Sequence, residues 1–406
     1  MSHLVSAFDL PIAGRYANPG DKSAILPVVY GGFSAEGFIG PIPAVLIDKT
    51  NWVYAAAAHA VGSITDVYVG PVLQTSGYTV SISNNYESLG TIAIIDFASQ
   101  PDGEVTWRGT GKQSGGATIT NPITQLEDLL TTYGGFLASD FDGAALEIAR
   151  EACVQLGYEF AWTIGDSRTA LEWINDFIFN IGALWRLTGD AKLQIMVDTG
   201  EVSVAGVAAH IYASRDCLDG DDGVTMVGAL AEMANQLLIR YAYSWPHRRP
   251  TAEVEVTDGI SYNGHGILGH TGGGRKSVLL TGHRTEAQVE TWANIMLRRQ
   301  SYRRRVEGAE LSFTVTGSRA AHLSVGDVIG FSWDSGPTRE RSMPYRNELL
   351  QVISVTNDSL DHGGRTHIEA WDTGAYITTL SEGYYDAEEY FDADVIFGAD
   401  RELEYL

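Results

Sequence analysis

The chain has 406 residues, of which 44% are hydrophobic and 19% charged, and its 27 Lys and Arg against 51 Asp and Glu give a net charge of −24. This composition is that of a folded globular protein and excludes a disordered chain, while the length predicts about two to four domains. Such an acidic balance argues against binding of phosphate or nucleic acid as the main activity.

Membrane insertion and secretion are also disfavoured. No apolar run reaches the roughly 18 residues that a membrane-spanning helix needs, since the run at residues 52–62 is short and contains His59. The N-terminus lacks the basic start and long apolar stretch of a signal peptide. Cys153 and Cys217 leave one disulfide open but exclude a disulfide scaffold, and they favour synthesis in a reducing cytosol.

Residues 1–120 are predicted to form an N-terminal β-module. Apolar, β-branched runs such as AILPVVYGGF, DVYVGPVL and TIAIIDF are separated by Gly, Pro and other turn residues. Short strands at such regular spacing are typical of a barrel or a sandwich.

Residues 121–235 are predicted to form an α+β middle domain, because helical periodicity replaces the strand pattern. Three helices are expected, with these start and stop residues: Asn121 before Pro122 to Gly134, Asp142 to Gly157, and Asp166 or Ser167 to Gly182. The alternating run YEFAWTI predicts a strand between the last two helices. The run ALWRLTGDAKLQIMV predicts a β-hairpin that turns at residues 188–190.

Two further regions follow. Residues 236–304 combine a strand pair (NQLLIRYAYSW and AEVEVTD), a glycine-rich loop and a helix from Thr285 to about Tyr302. Residues 305–373 contain four alternating strands that predict a second β-module. We therefore expect a β-rich α+β protein in which two tube-like barrel or sandwich modules flank a mixed helical middle region.

The glycine-rich run GHTGGGRKS is a near miss for the phosphate-binding P-loop. That loop requires Gly-Lys followed by Ser or Thr, but Arg275 stands between Gly274 and Lys276. A flexible loop is the preferred interpretation.

No catalytic or metal motif is recognisable. The sequence contains no HExxH, CxxC or GxSxG motif. His265, His270 and His283 are spaced too loosely for a known metal site. We expect no enzyme activity, no catalytic residue, no metal and no cofactor. A carboxylate pair of the glycosidase type could still be hidden among the 51 acids, because separation in space defines that pair.

Five arginines cluster at the end of the last predicted helix: Arg298, Arg299, Arg303, Arg304 and Arg305. The partial negative charge of a helix C-terminus stabilises a nearby cation by roughly 0.3–1 kcal/mol, which accounts for two or three of them. The others need acidic partners, and no aromatic platform for stacking nucleic-acid bases is interleaved with them. We predict an ion-pair seam within or between subunits.

Residues 374–406 form an acidic tail that also contains aromatic residues, a composition that favours docking over simple solvation. This tail is one candidate partner of the arginines. Its candidate interface residues are Asp386, Glu388, Glu389, Tyr390 and Phe391.

The order of these parts resembles bacteriophage tail-hub proteins. The likeness begins with RYANPGDKSAILPVVYGGF and continues through LEDLLTTYGG and the helix, strand, helix and hairpin of the middle region. It extends through the helix with an arginine-rich exit, the strand AELSFTV and a Leu-x-x-Gly-Asp-Val turn at residues 323–328. The resemblance covers residues 15–372 and lies in the order of elements more than in any single motif.

The resemblance implies a structural virion protein at the tail tip, assembled in the cytoplasm of the host bacterium. Hub proteins form homotrimers whose paired β-modules adapt the sixfold tail tube to a threefold spike or fibre around the DNA exit channel. The implied partners are other copies of the chain, the tail tube, distal tail proteins, the central spike or fibre, and the tape measure protein. The alternatives are a tail-tip enzyme or carbohydrate-binding protein acting on the host envelope, and a bare receptor-binding module.

Overall fold

The computed structural model describes residues 8, 11–12, 16–18, 21–33, 41–86, 89–188, 190–199, 207–227, 234–257, 274–303, 310–317, 320–333, 345–357 and 364–376. Within them, strands predominate over helices, which confirms the expected β-rich α+β class.

The described strands are β1 (Pro11–Ile12), β2 (Tyr16–Asn18), β3 (Asp21–Ile25), β4 (Val28–Tyr30), β5 (Ile42–Pro43), β6 (Val45–Asp48), β7 (Val53–Ala57), β8 (Ser63–Val69), β9 (Val72–Gln74), β10 (Tyr78–Tyr86), β11 (Gly90–Phe97), β12 (Val105–Thr110), β13 (Gln113–Ser114), β14 (Ala117–Thr118), β15 (Trp162–Ile164), β16 (Arg168–Thr169), β17 (Ala183–Leu187), β18 (Leu193–Val197), β19 (Val207–Tyr212), β20 (Thr225–Val227), β21 (Ala234–Ser244), β22 (Arg249–Thr257), β23 (Gly274–Leu279), β24 (Glu310–Thr316), β25 (Val328–Trp333), β26 (Tyr345–Asn357) and β27 (Arg365–Tyr376). The described α-helices are α1 (Pro122–Tyr133), α2 (Gly143–Gln155), α3 (Ala170–Ile181), α4 (Ala213–Asp216) and α5 (Glu286–Arg303), and short 3-10 turns occur at Ala138–Asp140 and Gly220–Gly223.

The N-terminal β-module is a sandwich of two four-stranded antiparallel sheets. One sheet has the strand order β10-β11-β7-β6 and the other has the order β5-β12-β8-β9. Alternate residues of both sheets point inward and form one core around Trp107, whose indole N–H donates to the carbonyl oxygen of Ala56 at 3.0 Å. The first of the two predicted β-modules is therefore present as a sandwich.

The first two helices of the middle region begin where the sequence predicts. The Asn121 side chain accepts hydrogen bonds from the backbone N–H groups of Ile123 and Thr124, with Pro122 in the first turn. The Asp142 side chain accepts from the N–H of Ala145. These caps satisfy N–H groups that have no partner inside the helix, which fixes both starting points.

The predicted start of the third helix at Asp166 or Ser167 is wrong. Helix α3 is capped by Thr169, which forms a reciprocal capping box with Glu172, and it ends at Gly182 in the left-handed region with φ of 72°. The preceding residues Arg168 and Thr169 are held as a strand, because they pair with β1 from the N-terminal segment.

Two strand predictions in the middle region have different outcomes. The hairpin of β17 and β18 is present, with Leu187 opposite Leu193. The predicted strand YEFAWTI is shorter than expected, because only Trp162–Ile164 pair with a neighbour, which is β4. The N-terminal segment thus contributes to the middle region as well as to the sandwich.

A three-stranded sheet with the order β22-β21-β23 packs against helix α5. The helix begins with a capping box in which the backbone N–H of Gln288 donates to the Thr285 hydroxyl and the N–H of Thr285 donates to the Gln288 side chain. Val289, Trp292 and Leu297 are buried in the core that the helix shares with the sheet, and Trp292 also contacts Phe179 of α3.

The loop interpretation of the glycine-rich run is wrong for its last part. Residues Gly274–Leu279 form β23, which pairs in parallel with β21. Pairing along β21 satisfies the backbone groups that face that strand, so Arg275 and Lys276 lie on a strand and not in a phosphate-binding loop. Residues 258–273, including His265 and His270, lie outside the described residues.

The second β-module is a six-stranded sheet with the order β19-β25-β26-β27-β24-β20. Four of these strands are the predicted ones, and β19 and β20 are additional strands from residues 207–227. Residues 213–224 connect the two edge strands of the sheet, and Cys217 in this connection forms an isolated antiparallel β-bridge with Val315 of β24. The module encloses a hydrophobic core of its own, which includes Phe313, Phe331 and Ile368.

No helix in the described part of the chain combines the length and the apolar character needed to cross a membrane.

Candidate assembly surfaces

The structure describes the predicted interface residues only in part. Arg298, Arg299 and Arg303 lie in the C-terminal turns of α5. Arg304 and Arg305 lie outside the described residues, as do the candidate tail residues Asp386, Glu388, Glu389, Tyr390 and Phe391. The ion-pair seam between arginines and acids therefore stays a prediction.

The opposite end of α5 carries an arginine that joins three parts of the chain. The Arg284 guanidinium donates to the carbonyl oxygen of Ala161 through Nε at 3.2 Å and Nη2 at 2.8 Å, and to that of Tyr243 through Nη1 at 2.8 Å. It also lies over the rings of Phe33 and Trp245, at 4.5 and 4.8 Å. Arg284 thus fixes the N-terminal segment, the middle region and the three-stranded sheet to one point.

Strand β21 has an unusual backbone conformation at this junction. Ala242, between the paired residues Tyr241 and Tyr243, has a positive φ of 55°, although the register of β21 with β22 continues through it without a shift. Its backbone N–H donates to the carbonyl oxygen of His283, and its carbonyl accepts from the Thr251 hydroxyl. These hydrogen bonds join the end of β21 to β22 and to the residue before Arg284.

Burial of Arg284 lowers the pKa of its guanidinium to about 9, because desolvation disfavours the charged form. The side chain nevertheless keeps its charge at neutral pH. Backbone carbonyls and aromatic faces are suited to such a partly dehydrated guanidinium, because it is planar and more weakly hydrated than an ammonium group.

The neighbouring histidine is a core residue. His283 is fully buried, and its Nε2 lies 2.7 Å from the carbonyl oxygen of Asn180. The Asn180 side chain in turn accepts from the backbone N–H of Gly282 at 3.1 Å. Desolvation lowers the pKa of His283 to about 4, so the neutral ring donates its Nε2–H to Asn180 at pH 7.

The described residues offer no metal centre, because no three of their His, Cys, Asp or Glu side chains are grouped as ligands. Both cysteines are free and buried, and desolvation raises the pKa of each thiol to about 12. A thiol with so high a pKa is protonated at neutral pH and is a poor nucleophile.

The turn at residues 323–328 attaches the second β-module to the middle region. Nη1 of Arg186, on the hairpin strand β17, donates to the carbonyl oxygen of Val325 and to Oδ1 of Asp327, both at 3.0 Å. Asp327 also accepts from the backbone N–H of Ser324 through its other oxygen at 2.8 Å, which shapes the turn. The Leu-x-x-Gly-Asp-Val motif is thus a docking element within the chain.

Three solved tail proteins, two of them from prophages, align with most of the chain. The 43 kDa tail protein of prophage MuSo2 from Shewanella oneidensis is 12% identical with a TM-score of 0.35, over 86% of this chain and 88% of that chain. A tail protein from Neisseria meningitidis MC58 is 12% identical with a TM-score of 0.36, over 86% and 97%. Prophage tail protein gp18 from Listeria monocytogenes EGD-e is 8% identical with a TM-score of 0.28, over 85% and 94%.

Likeness at this level does not establish a shared function. No model of a known protein family matches the chain, and no curated protein matches it.

Sequence reasoning missed the junction residues Arg284, Asn180 and Arg186. The acceptors of Arg284 and His283 are backbone carbonyls, which leave no mark in the sequence. One usable signal was the capping box that begins at Thr285, because it places Arg284 directly before the helix cap, where a side chain can reach the preceding elements.

Proposed function

We propose that the chain is a structural subunit of a bacteriophage tail. Within the tail, we propose that three copies form the hub, a symmetry adaptor between the sixfold tail tube and the threefold spike or fibre. The hub would form part of the DNA exit channel at the tail tip and would contact distal tail and tape measure proteins. The order of elements that resembles tail hubs and the architecture of the chain support this role.

One observation carries the proposal: the chain contains two β-modules with separate hydrophobic cores. A closed ring of three copies would present six β-modules, so that a threefold assembly offers approximately sixfold contacts on one side. A chain with a single β-module could not provide this match.

Fixed attachment of both modules supports the adaptor role. Arg284 binds the start of α5 to Phe33, whose side chain belongs to the core of the sandwich, and Arg186 binds the middle hairpin to the second module. An adaptor must transmit position from one module to the other, and polar contacts at both junctions restrict their relative movement.

The charge of the chain suits a DNA channel. At −24, the subunit generates a negative field that repels the phosphate backbone and reduces adhesion of DNA during its passage. A protein that binds DNA specifically would instead require basic groups that contact phosphates.

Binding partners separate this proposal from the enzyme and carbohydrate-binding alternatives. The chain should be co-expressed with the tail-tube protein encoded by the same phage, and complexes should be isolated by size-exclusion chromatography. In parallel, purified chain should be incubated with host cell walls and surface polysaccharide. We expect a complex with the tube protein and no cleavage. Reproducible cleavage that disappears on replacing one carboxylate would overturn the structural role.

A further inference from the structure

An uncharged edge runs along one side of the N-terminal sandwich. Residues 67–86 contain no Asp, Glu, Lys, Arg or His, and no other run of the chain is as long without Asp, Glu, Lys or Arg. This run includes β9 and β10, which are edge strands of the two sheets, and the short turn between them. We name residues 72–86 the uncharged edge.

Large apolar side chains of the uncharged edge are accessible to solvent. The exposed fractions are 59% for Val72, 46% for Leu73, 42% for Val80 and 43% for Ile82. Val80 shares its face of β10 with Tyr78, which packs on Phe97 of the sandwich core. In the described part of the chain, the face of β10 that carries Val80 is therefore largely open to solvent beyond Tyr78.

The backbone of β10 is also accessible over part of its length. In the described part of the chain, β10 pairs with β11 on one side only, and a register shift interrupts that pairing between Ser81 and Asn84. Beside this shift, the carbonyl oxygen of Ile82 accepts from the N–H of Val61 at 2.9 Å. Residues 78–81 therefore form a regular segment at the free edge of the sheet.

Soluble proteins usually protect such an edge with lysine, proline, an inward-pointing charge or a β-bulge. Strand β10 contains none of these residues, and its register shift lies beyond residues 78–81. An apolar, uncharged edge that is left unprotected favours association with another strand or apolar surface.

We propose that the uncharged edge is a contact surface for a second copy of this chain. Two copies that each carry −24 repel one another, and the repulsion is least where neither surface bears a charge. A basic partner would be attracted to the acidic remainder of the surface instead. The inference rests on the proposed function only in that both require copies of the chain to associate.

The small polar residues of β10 also suit a copy of the chain. They carry short hydroxyl and amide side chains: Thr79, Ser81, Ser83, Asn84 and Asn85. Thr and Ser pair favourably with their own kind across neighbouring strands, and Asn side chains form ladders with Asn.

The test compares self-association of the full chain with that of charged variants by sedimentation velocity. The edge variant combines Val80→Lys and Ile82→Lys, and the matched control combines Ile148→Lys and Val154→Lys on α2, where the exposed fractions are 69% and 71%. We expect the wild type to associate more strongly as salt rises from about 0.05 M to about 0.5 M, because salt screens the repulsion. The edge variant should associate at least about tenfold more weakly, because a lysine charge would be buried, and the control should match the wild type.

Three results would overturn the inference: a wild type that is monomeric at every salt concentration, an edge variant that associates as the wild type does, or a control that weakens equally. Circular dichroism should establish that each variant is folded. If the edge variant does not fold, Thr79→Lys replaces it, because that exposed side chain carries a charge to the same edge without altering the apolar face. If the edge contact is disproved, the proposed function can still be tested separately by binding to the tail-tube protein.

Discussion

Lowering the pH from 7 to 5 should destabilise the protein through His283. The imidazole is fully buried, and the rings of Phe160 and Tyr158 lie against it at centroid distances of 4.6 and 5.3 Å. Desolvation lowers its pKa from the ordinary 6.5 to about 4, and the hydrogen bond to Asn180 opposes this shift without reversing it. The folded state therefore resists protonation that the unfolded chain accepts.

The sign and size of the effect follow from proton linkage. As the pH falls below 6.5, the unfolded chain binds a proton at this histidine, whereas the folded chain binds it only near pH 4. The contribution of His283 to stability is fully present above pH 6.5 and is lost as the pH falls from 6.5 to 4. Since one pKa unit corresponds to about 1.36 kcal/mol, the free energy of unfolding should decrease by about 2 kcal/mol at pH 5 and by about 3.4 kcal/mol below pH 4.

Urea unfolding at pH 7, 6 and 5 measures this loss. His283→Gln retains an amide donor at a position similar to Nε2 but does not titrate, so its free energy of unfolding should change much less over this range. His247→Gln, which replaces an exposed histidine, should keep the slope of the wild type. The carboxylates Asp48 and Asp142, whose pKa values are lowered by hydrogen bonds, contribute below this window, because their ordinary value is 3.8. Equal slopes for the wild type and His283→Gln would refute the reasoning.

Three further substitutions test packing, module attachment and capping. Gly282→Ala should lower the free energy of unfolding by about 1–3 kcal/mol in urea titrations, because its Cβ would lie 2.6–2.8 Å from two buried aromatic rings; unchanged stability would contradict this close approach. Arg186→Ala should speed amide exchange at residues 323–328 by removing the donor to Asp327, while Arg240→Ala, in an exposed pair on another sheet, should not; equal exchange in both would contradict the attachment. Thr169→Ala should lower the melting temperature through a loss of about 1 kcal/mol from the capping box of α3, and no shift would contradict the assigned helix start.

Local signals predicted much of the fold, because they act within a few residues. Asn121 with Pro122 and Asp142 mark real helix starts, since a cap needs only the next three backbone N–H groups. The start of α3 was mispredicted because strand pairing with residues 11–12 decides it. Likewise, β19 pairs in parallel with β25 across more than a hundred residues, and periodicity cannot identify such a partner.

The junction residues were less predictable than the helices. Arg284 and Arg186 are fixed largely by carbonyl oxygens of distant segments, which every residue type supplies. The arginines at the end of α5 are conspicuous in sequence because they are adjacent, whereas Arg284 is conspicuous only in three dimensions. Clustering in sequence therefore indicated where charge accumulates but not which arginine organises the fold.

Cryo-electron microscopy of the assembled tail tip, with the chain located by a fused label, should reveal how many copies surround the tail axis. We expect three copies, with both β-modules of each copy in one ring of six below the tail tube. Six copies in that ring, a single copy away from the axis, or a ring built from only one β-module of each chain would contradict this expectation.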